Sequence, residues 1–178
     1  MKGLFRLLGG TQWSRADESA RCAKIRLTTV LVVILGLASV AAQFGRFPRT
    51  NPPVTGDLVA PADVAEIIRR ACYDCHSNET RWPWYSQIAP VSWLASRHVT
   101  EARARLNFSV WTDYVYDPGT EAHKLDEIER LIKSREMPPW YYRIMHPQTR
   151  LTDAQRAVVL SWIEREQSAV AARGSGAR

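Results

Sequence analysis

The amino-acid sequence predicts an all-α protein: a single membrane-spanning helix near the N-terminus, followed by a small helical domain. Three observations carry that expectation. Residues 27–44, LTTVLVVILGLASVAAQF, contain no charge, which is the lower end of what crosses a bilayer as a helix. Beyond residue 61, apolar residues recur at helical spacing in four separate stretches, and no βαβ pattern is visible. Helix-start signals precede three of those stretches: Pro61, Pro90, and the capping-box sequence Thr152-Asp153-Ala154-Gln155.

The charge distribution supports the membrane reading. The chain has 178 residues and a formal charge of +6, enough for one small domain and an appendage. Residues 1–26 carry Lys2, Arg6, Arg15, Arg21, Lys24 and Arg26 against Asp17 and Glu18, whereas the chain beyond residue 44 is nearly balanced. A nucleic-acid binder would carry its positive charge on the folded domain, so no nucleic-acid partner is expected. Positive charge before an apolar span instead orients it: residues 1–26 are expected in the cytoplasm, residues 27–44 in the lipid bilayer as an anchor, and the remainder outside. A cleaved signal peptide is the competing reading, with Val40-Ala41-Ala42 as a passable cleavage site, but a 26-residue basic region before the apolar run is long for one. Either way the domain leaves the cytoplasm.

Residues 45–61 hold four prolines and two glycines, and are expected to form an extended, semi-rigid linker. Val64, Ile67, Ile68 and Ala71 then fall on one helical face. That helix feeds directly into Cys72-Tyr73-Asp74-Cys75-His76. The C-x-x-C-H spacing is that of c-type haem attachment. In helical geometry residues three and four apart are neighbours, so two thiols can add to the two vinyl groups of one porphyrin while the His76 imidazole reaches the iron. A thioredoxin-like pair would need a βαβ context. A zinc site would need a second close pair of ligands, and His98, His123, His146 and Cys22 are scattered. One covalent haem c, held through Cys72 and Cys75 with His76 as the proximal iron ligand, is therefore the expected cofactor. In so small a domain the haem is expected to form much of the core, with the face of the preceding helix packed beneath it.

Downstream, Trp82, Trp84 and Tyr85 surround Pro83; they are expected either to wrap the porphyrin edge or to pack in an ordinary core. The stretch from Pro90 to about Leu106 places Val91, Leu94, Ala95, His98, Val99, Ala102 and Leu106 on one face, with Arg97, Arg103 and Arg105 outward. His98 is an alternative distal iron ligand. Residues 107–120 look like a loop with an Asp117-Pro118-Gly119 turn, and residues 121–134 like a third helix. It leads into Met137-Pro138-Pro139. Pro138 disfavours helical geometry at Met137, leaving a thioether on a stiff loop. Met137 is the expected distal ligand, with Met145, His146 or an open sixth position as further possibilities. The last helix buries Val158, Val159, Trp162 and Ile163, closing a haem domain of residues 62–168, and residues 169–178 read as a frayed tail.

The order of these parts, NPPV, then CYDCHSNETRWPWYSQIAPVSWL, LNFSVW and EMPPWYYRIMHPQTRLT before a terminal helix, resembles the bacterial haem-binding domain family, a cytochrome c-like group, over about residues 48–165. The resemblance implies an all-α, cytochrome c-like fold with one covalent haem, supports the roles of Cys72, Cys75 and His76, and puts Met137 where class I cytochromes carry their methionine ligand. It departs in one place: such proteins tend to have glycine just before that methionine, and here Ser134-Arg135-Glu136 stands instead.

The expected function is that of a periplasmic, inner-membrane-tethered electron carrier serving membrane or soluble redox partners, and not an enzyme. The alternative is a haem-based sensor or small-ligand-binding module with a weak or open sixth position. A peroxidase would need an open site and a distal acid–base group, for which His98 is the one candidate offered.

Overall fold

The computed structural model describes residues 15–45 and 49–176, so the expectations for residues 1–14, 46–48 and 177–178 lie outside it. The chain divides into two units at Gly45. The first contains a single helix, α1 (Arg15–Ala42). Its segment Ala20–Ala42, 23 residues with mean hydropathy 2.2, is the one helix among the described residues long and apolar enough to cross a membrane. At 1.5 Å per residue it spans roughly 35 Å. The helix begins well before residue 27 and ends two residues before Phe44. Three of its hydroxyls are satisfied internally: Thr28 and Thr29 donate to the carbonyls of Lys24 and Ile25, and Ser39 to that of Leu35, as an apolar medium would demand.

The second unit is all-α, with no strand among the described residues. Its helices are α2 (Ala62–Ala71), α3 (Tyr73–His76), α4 (Val91–Arg105), α5 (Trp111–Val115), α6 (Pro118–Lys133), α7 (Trp140–Met145) and α8 (Asp153–Gly176), with 3-10 turns at Trp84–Gln87 and Pro147–Thr149. The predicted helical faces of α2, α6 and α8 form one core: Val64, Ile67, Ile68 and Ala71 meet Leu125, Ile128, Ile132, Val159, Trp162 and Ile163. The face of α2 is thus committed to α8 and not to a porphyrin. A unit of this size closes a protein core of its own, which corrects the expectation that haem would form it. Tyr73, Phe108 and Trp111 extend the core as a stack, with ring centroids 5.4 and 5.9 Å apart.

The start of α8 follows the capping box. Gln155 N–H donates to Thr152 Oγ1 at 3.2 Å and Thr152 N–H to Gln155 Oε1 at 3.0 Å. Its far end differs from the expected frayed tail. The helix continues to Gly176, because Val170 is buried and Arg173 reaches the buried carboxylate of Glu121 on α6.

Three further expectations change. Residues 107–120 are not a loop: α5 occupies part of them, and Asp117 caps α6 by accepting from Gly119 and Thr120 N–H. Asp followed by Pro at the first helical position is a helix-start signature as much as a turn. The short helix α7 was not anticipated. Lastly, residues 49–60 are docked and not a free spacer: Leu58 is buried and its N–H donates to Phe108 O at 3.0 Å, while Gly56 pairs with Val110. A Cβ at Gly56 would lie 1.7 Å from Thr112 Oγ1, so this approach requires glycine.

Candidate haem-attachment site

Cys72 ends α2 and opens the single turn of α3. The amides of Cys75 and His76 both donate to Cys72 O, at 3.1 and 2.9 Å, so the C-x-x-C-H segment is one closed helical turn carrying both thiols and the imidazole. Both cysteines are free and half-buried. Burial, reinforced by the neighbouring Cys75, pushes the Cys72 thiol up to about 12; burial and the Asp74 carboxylate push Cys75 up to about 11. Both therefore remain S–H at neutral pH.

His76 is held by the chain that follows α4. Its Nδ1 lies 3.1 Å from Leu106 O, and its backbone carbonyl accepts from Phe108 N–H at 2.8 Å. Phe108 also presents its ring edge-on to the imidazole, 6.5 Å between centroids. A proton at Nδ1 donated to Leu106 O leaves the Nε2 lone pair free for a metal. Burial holds the imidazole pKa below its ordinary value, against the opposing pull of the Leu106 and Ala102 carbonyls, so the ring is neutral and competent to ligate.

Behind this turn lies a buried polar lattice. Ser77 Oγ donates to Tyr73 O, Asn78 N–H to Ser109 Oγ, and Asn107 Nδ2 to Asn78 Oδ1. Arg103, expected to point outward, is turned into it: Nε donates to Ser77 O at 2.7 Å, Nη1 to Thr50 O at 2.8 Å, and Nη2 to Asn51 Oδ1 and Thr80 Oγ1. These residues lie in the stretches CHSNET and LNFS. Their recurrence of small polar residues beside the attachment motif was the available signal, and periodicity does not detect it.

On the open side the picture inverts. Trp84, Val91, Leu94, Trp140, Tyr141 and Ile144 are 43 to 70% exposed. Of the α4 face expected to be buried, Val91 and Leu94 are exposed, Ala95, His98, Ala102 and Leu106 are half-buried, and only Val99 is buried. The turn and α4 adjoin, α4 packs on α3, and α7 is tied to both helices: His98 lies against Tyr141 with centroids 5.8 Å apart, and Tyr142 O–H donates to Asp74 Oδ2 at 3.1 Å. So much exposed apolar surface around two paired thiols and a neutral imidazole fits a large flat apolar cofactor. Haem meets each demand of this donor set.

The other residues singled out from the sequence fall as follows. His98 is half-buried and engaged with Tyr141. Met137 is half-buried on the segment between α6 and α7, its N–H donating to Leu131 O at 3.3 Å. Met145 is exposed. His146 is occupied by tyrosines: Nε2 is 2.5 Å from Tyr85 O–H, and its ring stacks on Tyr142 at 4.2 Å. No described group of three or more His, Cys, Asp or Glu residues makes a separate metal site.

Comparison with known proteins points to haem binding. Residues 31–165 match the haem-binding domain family. The chain is also similar to cytochrome c peroxidase Ccp of Escherichia coli (strain K12), 23% identical over 152 residues, which cover 84% of this chain and 33% of that protein. It thus spans about a third of the length of that relative. No solved structure matches.

Proposed function

Because the chain belongs to the haem-binding domain family, we propose that it is a c-type cytochrome carrying single electrons through one haem, tethered to the bacterial inner membrane by residues 27–44. The observation that carries this reading is the attachment turn: two adjacent S–H groups and an imidazole whose Nδ1 is held by Leu106 O. Cys72 and Cys75 would hold the haem covalently, their S–H groups being able to add across its two vinyl groups without a leaving group. His76 Nε2 and, from its proline-stiffened segment, Met137 would ligate the iron. When bound, the haem supplies a one-electron iron couple. Ligands held by the chain on both sides limit reorganisation on electron transfer, and a thioether ligand favours the reduced state. The basic residues before the anchor support a periplasmic haem domain, where the tether would raise the effective concentration of membrane redox partners.

A second reading, a small-ligand-binding or sensing module with a weak sixth position, is supported by the similarity to a peroxidase. One experiment separates the two. The full chain, matured with covalent haem, is examined by absorption in both oxidation states. The carrier reading expects a c-type spectrum with the far-red methionine–ferric band, abolished in Met137→Ala while the covalent haem is retained. A c-type spectrum lacking the band and responding to carbon monoxide or cyanide supports the second reading; absence of covalent haem rejects both.

A further inference from the structure

The segment from Ser134 to Tyr142 is a strap fastened at both ends. At its start, Ser134 and Met137 N–H donate to Arg130 and Leu131 carbonyls of α6. At its end, Tyr142 O–H on α7 donates to Asp74 Oδ2 of the attachment turn, at 3.1 Å. Asp74 stands between the two cysteines, and its side chain is only 14% exposed. Its other oxygen, Oδ1, accepts from the backbone N–H and Nε of Arg81, at 3.1 and 3.3 Å. One carboxylate thus receives the strap on one oxygen and the post-motif chain on the other.

Tyr142 is braced for this task. His146 stacks on its ring at an interplanar angle of 20°, and His146 is itself held by Tyr85. Burial and the Asp74 carboxylate hold the phenol well above its ordinary pKa, so it is a hydrogen-bond donor at every working pH. Tyr141, one residue earlier, reaches α4 through His98, so consecutive tyrosines grip the attachment turn and α4.

We propose that Tyr142 and Asp74 form a latch that holds the strap closed over the sixth-coordination side, Tyr142 acting as a positioning residue and Asp74 as its anchor. This rests on the reading of residues 72–76 as a haem-attachment turn and of Met137 as lying on its distal side, and it assigns a purpose to Asp74, the second variable residue of C-x-x-C. With the latch closed the chain's own ligand holds the site. With it open the strap pivots on α6 and external ligands enter.

The test is a titration of the full-length ferric holoprotein with imidazole, followed by absorption. Tyr142→Phe keeps the ring and its stack on His146 while deleting one bond to a partly buried carboxylate. It is expected to raise imidazole affinity roughly tenfold, with covalent haem per chain unchanged. Asp74→Asn, which keeps an acceptor oxygen, is expected to shift the affinity less than Asp74→Ala. Wild-type affinity in Tyr142→Phe overturns the latch, as does an equal shift in imidazole affinity in Asp74→Asn and Asp74→Ala. Met137→Ala run in parallel tests the distal assignment separately: wild-type behaviour there rejects Met137 as ligand, and the Tyr142→Phe comparison still decides the latch. A chain without covalent haem rejects both.

Discussion

Arg135 has a φ of 61°, in the left-handed region that costs an L-residue about 1–2 kcal/mol. It follows the C-cap of α6, where glycine is the usual solution. The ion pair from Arg135 to Asp153 at 2.7 Å joins two exposed side chains and adds little. Arg135→Gly is therefore expected to stabilise the domain by about 0.5–1 kcal/mol, read as a higher denaturant midpoint at unchanged slope. His146 makes a second point at this scale. Burial lowers its pKa from the ordinary histidine value of 6.5, Asp74 opposing and Arg81 assisting. A depressed folded pKa means that the unfolded chain takes up the proton first. The His146 contribution is thus complete above about pH 6.5 and is lost as pH falls toward the depressed value. The slope of stability between pH 7 and 5 is expected to be shallower in His146→Gln, measured by urea unfolding across that range.

At the scale of elements, local signals and long-range packing contend for the ends of helices. The capping box of α8 is readable from four residues, and the structure forms both of its hydrogen bonds. The C-terminal third of the same helix is small and polar, and only its neighbours explain why it persists. Val170 is 3% exposed, and Arg173 is the cation facing Glu121, which is itself 4% exposed. Deleting residues 169–178 exposes one face of α6 and leaves a buried carboxylate without its partner. The expected loss is about 3 kcal/mol, seen as a lower Tm, with covalent haem attachment retained. The same contention explains α5 and the start of α6: Asp117 and Pro118 serve a turn or a helix cap equally well until Leu125 and Ile128 find α8.

For the whole haem-binding unit, Arg103 is the residue that joins the parts. Its guanidinium brings the segment before α2, the carbonyl of Ser77 and the hydroxyl of Thr80 onto α4. Burial pulls its pKa below the ordinary arginine value, but an arginine so placed stays charged, and charge-assisted bonds offset the lost hydration. Arg103→Met removes four donor contacts and leaves their acceptors unmatched. It is expected to destabilise the unit by about 3 kcal/mol, with increased proteolysis near residues 49–55 as the readout of undocking. The open apolar surface on α4 and α7 belongs to this scale too: Val91, Leu94, Trp140 and Ile144 are exposed, and a flat apolar cofactor fits such a face.

What the sequence determined by itself was whatever neighbours in the chain can specify. The C-x-x-C-H turn, the helical faces of α2, α6 and α8, the capping box and the apolar span all follow from spacings of a few residues, where backbone geometry leaves one solution. What only the tertiary structure decided involves partners far apart in sequence. Arg103 meets Thr50 across 53 residues, and Tyr142 meets Asp74 across 68. Nothing local selects such pairs. They form because the core of α2, α6 and α8 brings distant polar groups together out of water, where each must find a hydrogen-bond partner.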